Sequence, residues 1–522
     1  MRHSLKLLLS AALALGTAAC NDYLSGPGVD EDPNNISRLT RPGPLYIAIQ
    51  ALQSVQFEGQ LARNAAEYVQ QIAGNSRQQI GYDLYQMDPV TIDPHFFSVY
   101  GSAITVQGGG GLLDIHKMQQ LARAVDDSIY IGIGKIYEAL VIGTAASIWG
   151  DIPYREAADS TNETPAFDSQ LQVYADMLTQ LDSAVLFLAA APVPPNVGPP
   201  ADNSELVYLD RGGNTAALAQ VYTQVAHSLK ARYYMHLAEV SAANYALALA
   251  EVPLGINTPA NDMLWYHDAT PTGNNVWWQF MSARGDIAPG AALIEILKRR
   301  IAAGVEDAAR LNFYFTTADP GGAPTDFYGF RPGGSLNMQT APGIYNGNGS
   351  PLGNYSGFTF IDFNVDPGDM RMPVITYAET QLIGAEAAFR TGGEGAAQPF
   401  LDAARANRSY GARGATPNTF APLAPVPATL ENIMEEKYVT LFLSIEAWND
   451  YKRTCLPALA PAPASLGNTT PGTQPVPGRL PYGITEINAN PHTPNVSPVG
   501  RNANDPNPCP LLDYTSSVPL AN

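Results

Sequence analysis

The residues able to do chemistry on their own are few and scattered. An α/β-type serine hydrolase needs Gly-x-Ser-x-Gly at a strand-to-helix turn, and the segments around Ser76 and Ser335 carry the first glycine without the second. The seven histidines (3, 95, 116, 227, 236, 267 and 492) include no pair one helical turn apart with an intervening glutamate, so a zinc-protease helix is absent. "QGGGGLLDIHKM" (107–118) puts four glycines before a helix but lacks the Lys-Ser/Thr pair that grips phosphate, and reads as a turn into a packed helix. "DFNVDPGDMR" (362–371) offers Asp362, Asp366 and Asp369 to a calcium ion, yet not at EF-hand spacing, and reads as loop. No catalytic residue, metal ligand or cofactor is assigned, and weight moves from catalysis to binding.

Binding chemistry is better represented. "DMLWYHDATPTGNNVWWQF" (262–280) holds three of the five tryptophans, "IGYDLYQMDP" (80–89) adds two tyrosines, and "TDFYGFRPG" adds Phe327, Tyr328 and Phe330. Flat aromatic faces on loops suit stacking against sugar rings or gripping peptide side chains, while tryptophans are on average deeply buried. Trp277 and Trp278 are assigned to the core. Tyr82, Tyr85, Trp265, Tyr266 and Tyr328 are the candidate ligand-binding surface.

The elements that must carry these loops are helical. Residues 128–149 are apolar nearly all round, with Lys135 and Glu138 the only charges, and read as a central buried helix in preference to a membrane span. Residues 167–191 and 214–240 are amphipathic; in the second, Ala217, Val221, Val225, Leu229, Tyr233 and Leu237 share a face from which Lys230 and Arg232 point away. Leu430, Met434, Tyr438, Leu441, Ile445 and Trp448 form another stripe, with Glu431, Glu435 and Lys452 on other faces. Across residues 373–391 and 395–407, Gly384, Ala396, Phe400 and Ala403 fall where tetratricopeptide repeats place packing residues, which predicts stacked helix pairs. Residues 253–289 and 316–372 and the tail from Pro457 are rich in Gly, Pro, Asn and aromatics, and predict long ordered loops with a few short strands. The fold class expected is all-α dominated. Proline-rich "APVPPNVGPP" (191–200) reads as an inter-helix loop, so one large domain is preferred over two or three.

The N-terminus constrains location. Arg2, His3 and Lys6 precede an apolar stretch too short to span a bilayer, and small residues lead to Cys20, the layout of a signal peptide over residues 1–19. The residues before Cys20 resemble a lipoprotein processing site, so Cys20 is expected to be acylated and residues 20–38 to form a flexible tether to a domain over 39–522 with a Pro-rich tail, 455–522. An ordinary signal peptide with a free cysteine is the alternative. Twenty-nine basic against 48 acidic side chains set the charge at −19, and losing Arg2 and Lys6 makes it more negative. That argues against nucleic acid and against a polybasic hold on lipid. Cys455 and Cys509 then remain as a pair, a disulfide in an oxidising compartment or two reduced buried thiols.

Together the lipoprotein start, "SIWGDIPYREA" (147–157), "AHSLKARYYMHLA" (226–238), "ITYAETQLIGAEAAFRTG" (375–392) and "EEKYVTLFLSIEAWNDYKRT" (435–454) resemble the SusD/RagB family of outer-membrane nutrient-binding lipoproteins. The blocks come in the family's order, although Ser444 and Ile445 stand where many members carry Glu-Gly. The resemblance implies tetratricopeptide-like helix pairs packed against a loop-rich region. It also implies a non-enzymatic surface protein that captures an oligosaccharide, or in some members a peptide, and hands it to a SusC-type TonB-dependent barrel. Two other readings stand beside it: a lipid-anchored glycan hydrolase with spatially assembled acids, and a repeat scaffold that binds only proteins, whose loop aromatics would be buried.

Overall fold

The computed structural model describes residues 40–101, 109–159, 161–190, 192, 194–201, 205–317, 326–333, 357–362, 366–463, 472, 475–494 and 509–512. Cys20, the signal segment and the tether lie outside them.

Helices α1 (Gly43–Glu58), α2 (Gln60–Tyr68), α3 (Arg77–Asp83), α4 (Pro89–Ser98), α5 (Leu112–Ala124), α6 (Ser128–Trp149), α7 (Gln170–Ala189), α8 (Thr215–His236) and α9 (Ala243–Glu251) build the first half. The second half holds α10 (Val276–Ala283), α11 (Ala291–Ala302), α12 (Ala309–Tyr314), α13 (Tyr377–Gly392), α14 (Glu394–Ala406), α15 (Leu430–Thr440), α16 (Ile445–Thr454) and α17 (Ile484–Ala489). The strands are short: β1 (Ile72–Gly74), β2 (Ile152–Pro153), β3 (Phe167–Asp168), β4 (Met263–Leu264), β5 (Ile287–Pro289), β6 (Met370–Arg371), β7 (Pro373–Ile375), β8 (Ser409–Arg413) and β9 (Thr416–Thr419). They pair antiparallel as β1–β5, β2–β3, β4–β7 and β6–β8–β9, so the expected all-α-dominated architecture with a few short strands is what forms.

The central element is α6. Asp127 caps it by accepting from Tyr130 N at 3.1 Å, and every residue after Ser128 is buried by protein, which is why it is apolar all round. Its two charges are matched: Lys135 Nζ donates to Gln180 at 2.5 Å, and Glu138 accepts from Gln119 and from the Tyr154 hydroxyl, each at 2.7 Å. Helices α5, α7 and α8 pack in succession around α6, and α9, α13, α14 and α15 continue the stack. The predicted helix pair is α13–α14. A Cβ on Gly384 would stand 2.7 Å from the Phe400 ring, so only a residue without a side chain lets that ring lie against α13. Gly384→Leu is expected to destabilise the fold by about 2–3 kcal/mol through overpacking, read as a lowered denaturant midpoint. A cost near zero would show that Phe400 turns aside freely.

Three expectations are corrected. Lys230 and Arg232 do not face solvent: Arg232 is buried and forms a two-pronged pair with Glu379 at 2.7 and 2.8 Å, and Lys230 pairs with Glu251 at 2.6 Å. Glu435, which lies off the apolar stripe, is also buried against Arg300. The apolar stripe over residues 430–448 is not one helix; Leu443 takes a φ of 60°, and Ser444 caps a new helix, α16, by accepting from Glu446 N. The loop expected over residues 253–289 contains α10, capped by Asn275.

Buried ion networks lock the second half together. Glu436 pairs with Arg300 at 2.5 Å, Arg310 at 2.6 Å and Arg405 at 2.9 Å, drawing α11, α12, α14 and α15 to one point. Glu386 on α13 pairs with Lys437 on α15 and Arg453 on α16, both at 2.8 Å. Cys455 follows α16 directly and is bonded to Cys509 with a Cα separation of 5.3 Å, so the disulfide reading holds over the reduced pair.

Candidate functional site

Helix α11, "AALIEILKRRIA", turns Leu293, Ile294 and Leu297 into the core, which leaves Ala292, Glu295 and Arg299 along its outer side. Two segments flank that side. Residues 326–333 are pinned by Phe330 N donating to Pro289 O at 2.8 Å and by Ala291 N donating to Phe330 O at 2.7 Å. Gly329 allows the approach, since a Cβ there would lie 2.6 Å from the Ala291 backbone. On the other side runs the proline-rich segment 458–463, held by Gln70 Nε2 donating to Ala460 O at 2.6 Å.

Between them lies an open cleft of about 500 Å³, within the range of ligand sites, lined by Glu295, Arg299, Arg331 and prolines 332, 461 and 463 among others. Arg331 and Glu295 pair at 2.6 Å while both stay largely exposed, a contact worth little by itself and free to exchange for a ligand hydroxyl. Next to the cleft, Phe327 and Phe330 pack inward while Tyr328 remains 42% exposed, its ring 5.0 Å from Lys298 Nζ. Lys298 is anchored by Asp326 at 2.5 Å and by Phe327 O at 3.2 Å; that pairing holds the Asp326 carboxyl below its usual range. A guanidinium and a carboxylate thus line the groove, and an exposed aromatic face lies three residues from Arg331 on the same pinned segment. They supply stacking and hydrogen bonding rather than a nucleophile or a general acid.

The structure separates the five predicted aromatics. Tyr328 is partly exposed, and Tyr266 is half-buried with its hydroxyl donating to Asp268 at 2.8 Å. The other three are buried, which corrects their reading as surface residues. Tyr85 packs edge-on against Tyr68, Tyr82 is 5% exposed, and Trp265 is 2% exposed beside the interior Glu58, Arg232 and Glu446. Burial also keeps the Tyr82 hydroxyl neutral by pushing its pKa up. Trp277 is core as expected, whereas Trp278 is half-buried and donates to Asp366 O at 2.8 Å.

The remaining sequence candidates are occupied by protein. Gly110 N donates to Asp114 at 2.5 Å and Gly110 O accepts from Gln53, so that glycine run closes a helix start. Asp366 and Asp369 both pair with Arg413. His236 contacts Glu446 at 2.8 Å and Tyr174 at 3.0 Å. Among the described residues no group of three or more His, Cys, Asp or Glu is arranged for a metal. Sequence reasoning missed Glu295 and Arg331; the available signal was Arg331 three residues after Tyr328.

No curated protein sequence matches the chain. Solved structures do. A chitin-binding protein is 21% identical with a TM-score of 0.63, covering 86% of this chain and 94% of its own. A SusD/RagB family protein from Bacteroides thetaiotaomicron is 17% identical with a TM-score of 0.60, covering 87% and 95%. A chitin-binding SusD homolog from Flavobacterium johnsoniae is 19% identical with a TM-score of 0.57, covering 86% and 92%. At these identities they establish the shared fold. The family match is broader in kind: over residues 33–483 the sequence fits the SusD-like_2 family, "Starch-binding associating with outer membrane", and the chain belongs to that family.

Proposed function

We propose that the protein is a surface lipoprotein, anchored through Cys20, that binds a nutrient oligosaccharide and passes it to a SusC-like TonB-dependent barrel in the outer membrane. Family membership supports outer-membrane association and glycan binding, and two structural relatives are chitin-binding proteins. The observation that carries the reading in this chain is Tyr328, an exposed ring fixed on rigid backbone beside a cleft of ligand size. Tyr266 is the second ligand candidate. A neutral, hydroxyl-rich ligand also suits a chain of net charge −19, which repels acidic polymers.

Calorimetric titration of the soluble chain with chito- and malto-oligosaccharides tests the ligand. Tyr328→Ala is expected to weaken binding by about 1 kcal/mol, roughly fivefold, through loss of stacking. Unchanged affinity would remove Tyr328 from the site. Pull-down of the tagged protein from native membranes tests the partner, and a stoichiometric TonB-dependent barrel is the expected companion. One observation favours a second reading. The burial of Tyr82, Tyr85 and Trp265 is what a scaffold that binds only proteins would show. That reading predicts the barrel in the pull-down and no glycan in the calorimeter.

A further inference from the structure

The turn from α2 through β1 into α3 encloses polar atoms that nothing in the protein satisfies. Asn64 and Glu67 share one face of α2, and Gln79 and Asp83 share one face of α3, which packs against it. All four are completely buried. Both carboxylate oxygens of Glu67, both amide atoms of Gln79 and Oδ1 of Asp83 lack a hydrogen-bond partner. The other Asp83 oxygen accepts from Gly333 N at 2.8 Å, and the Gly74 N–H also bears on this carboxyl. The nearest cation, Arg63, lies 4.2 Å above the Phe280 ring and donates to Gln60 at 3.3 Å; among the described residues it forms no ion pair.

Native interiors leave very few buried polar groups unpaired, and each costs about 1–3 kcal/mol. Five unpaired atoms on the packed helices α2 and α3, four of them oxygens and three of those on carboxyls, form a donor set that only Arg63 approaches with positive charge. Water would hydrogen-bond to them without neutralising two acids. A thiolate- or imidazole-seeking metal finds no ligand here, and Mg²⁺ keeps several waters in a strict octahedron, whereas Ca²⁺ takes six to eight oxygens in flexible geometry.

We propose that Glu67, Asp83 and the Gln79 side-chain oxygen bind one Ca²⁺ ion inside the protein. Glu67 supplies two oxygens, Asp83 Oδ1 and Gln79 Oε1 one each, and enclosed water completes the shell. Because Asp83 also holds Gly333, two residues beyond Arg331, the ion fastens one wall of the α11 cleft to the N-terminal helices.

The test needs no ligand for the cleft. The purified chain, dialysed against metal-free buffer, is expected to retain about one calcium per molecule by plasma mass spectrometry. A strong chelator should then lower the melting temperature by a few degrees, with recovery on adding Ca²⁺ but not equimolar Mg²⁺. Glu67→Gln, nearly isosteric, should lose the calcium and the chelator response together. Absence of bound calcium, together with a melting temperature indifferent to chelator and to millimolar Ca²⁺, would overturn the proposal and leave a hydrated or proton-sharing pair. The wild-type measurement decides the matter even where the variant fails to fold, and glycan titration stays an independent readout.

Discussion

Glu436→Gln is expected to cost the fold about 3 kcal/mol, because it removes the carboxylate that three buried arginines share and leaves Arg300 to Glu435, Arg310 to Glu306 and Arg405 to backbone carbonyls. Arg300, Arg310 and Arg405 all converge on that carboxylate, and each of these side chains is at most 3% exposed. Burial alone would push the Glu436 carboxyl up, but Arg310, Arg300 and Arg405 overcome it and hold the pKa at about 2. A folded pKa below the unfolded value near 4.5 gives stability that is complete above that value and is lost as pH falls toward 2. The denaturant midpoint of the wild type should therefore drop steeply in acid, while that of Glu436→Gln, already low at neutral pH, should drop less. A loss under about 1 kcal/mol at pH 7 would mean that water enters and solvates the arginines.

Asp262 is expected to act in the opposite direction. Burial pushes its carboxyl up to about 8, against the partial offset of Tyr377 N donating to Oδ1 at 2.7 Å and Ser409 Oγ to Oδ2 at 3.3 Å. With the folded pKa raised, its contribution is fully present below the unfolded value of 3.8 and disappears as pH rises through about 8, at up to about 1.4 kcal/mol per pH unit. Asp262→Asn imitates the protonated acid and keeps an oxygen for Tyr377 N. Measured by urea unfolding at pH 5 and pH 8, the variant should gain on the wild type by several kcal/mol between the two. Parallel curves would show that Asp262 is ionised throughout.

The helical scaffold was legible in the sequence where the pattern is set by neighbours a turn away. The all-round apolarity of residues 128–149 reports burial directly, and Gly384 with Phe400 reports a close helix contact. Charges misled. Arg232 resembles any solvated arginine on an amphipathic helix because its partner, Glu379, lies 147 positions along the chain. The break at Leu443 gave no warning, since a non-glycine residue in the left-handed region carries no mark in composition. Of the aromatics, Tyr328 was readable as exposed beside Arg331 and glycines. Tyr85 and Trp265 were not, because surrounding glycines and prolines describe the backbone of a segment and not what covers it. The α11 cleft was hidden for the same reason: its walls come from residues 291–299, 331–332 and 458–463, which only the folded chain assembles.

The ties between the two ends of the chain carry a consequence for the order of folding. Tyr438 reaches Val69, Gln71 is held by Tyr438 and Leu443, and the Trp149 indole donates to Pro481 O, contacts that span 332 to 372 positions. A polypeptide delivered N-terminus first exposes α2, β1 and most of α6 long before the segments that cover them exist. Contacts across so many positions close slowly and late. Such a chain is expected to stay collapsed but unfinished until residues 438–481 arrive, and to depend meanwhile on being kept apart from its own copies.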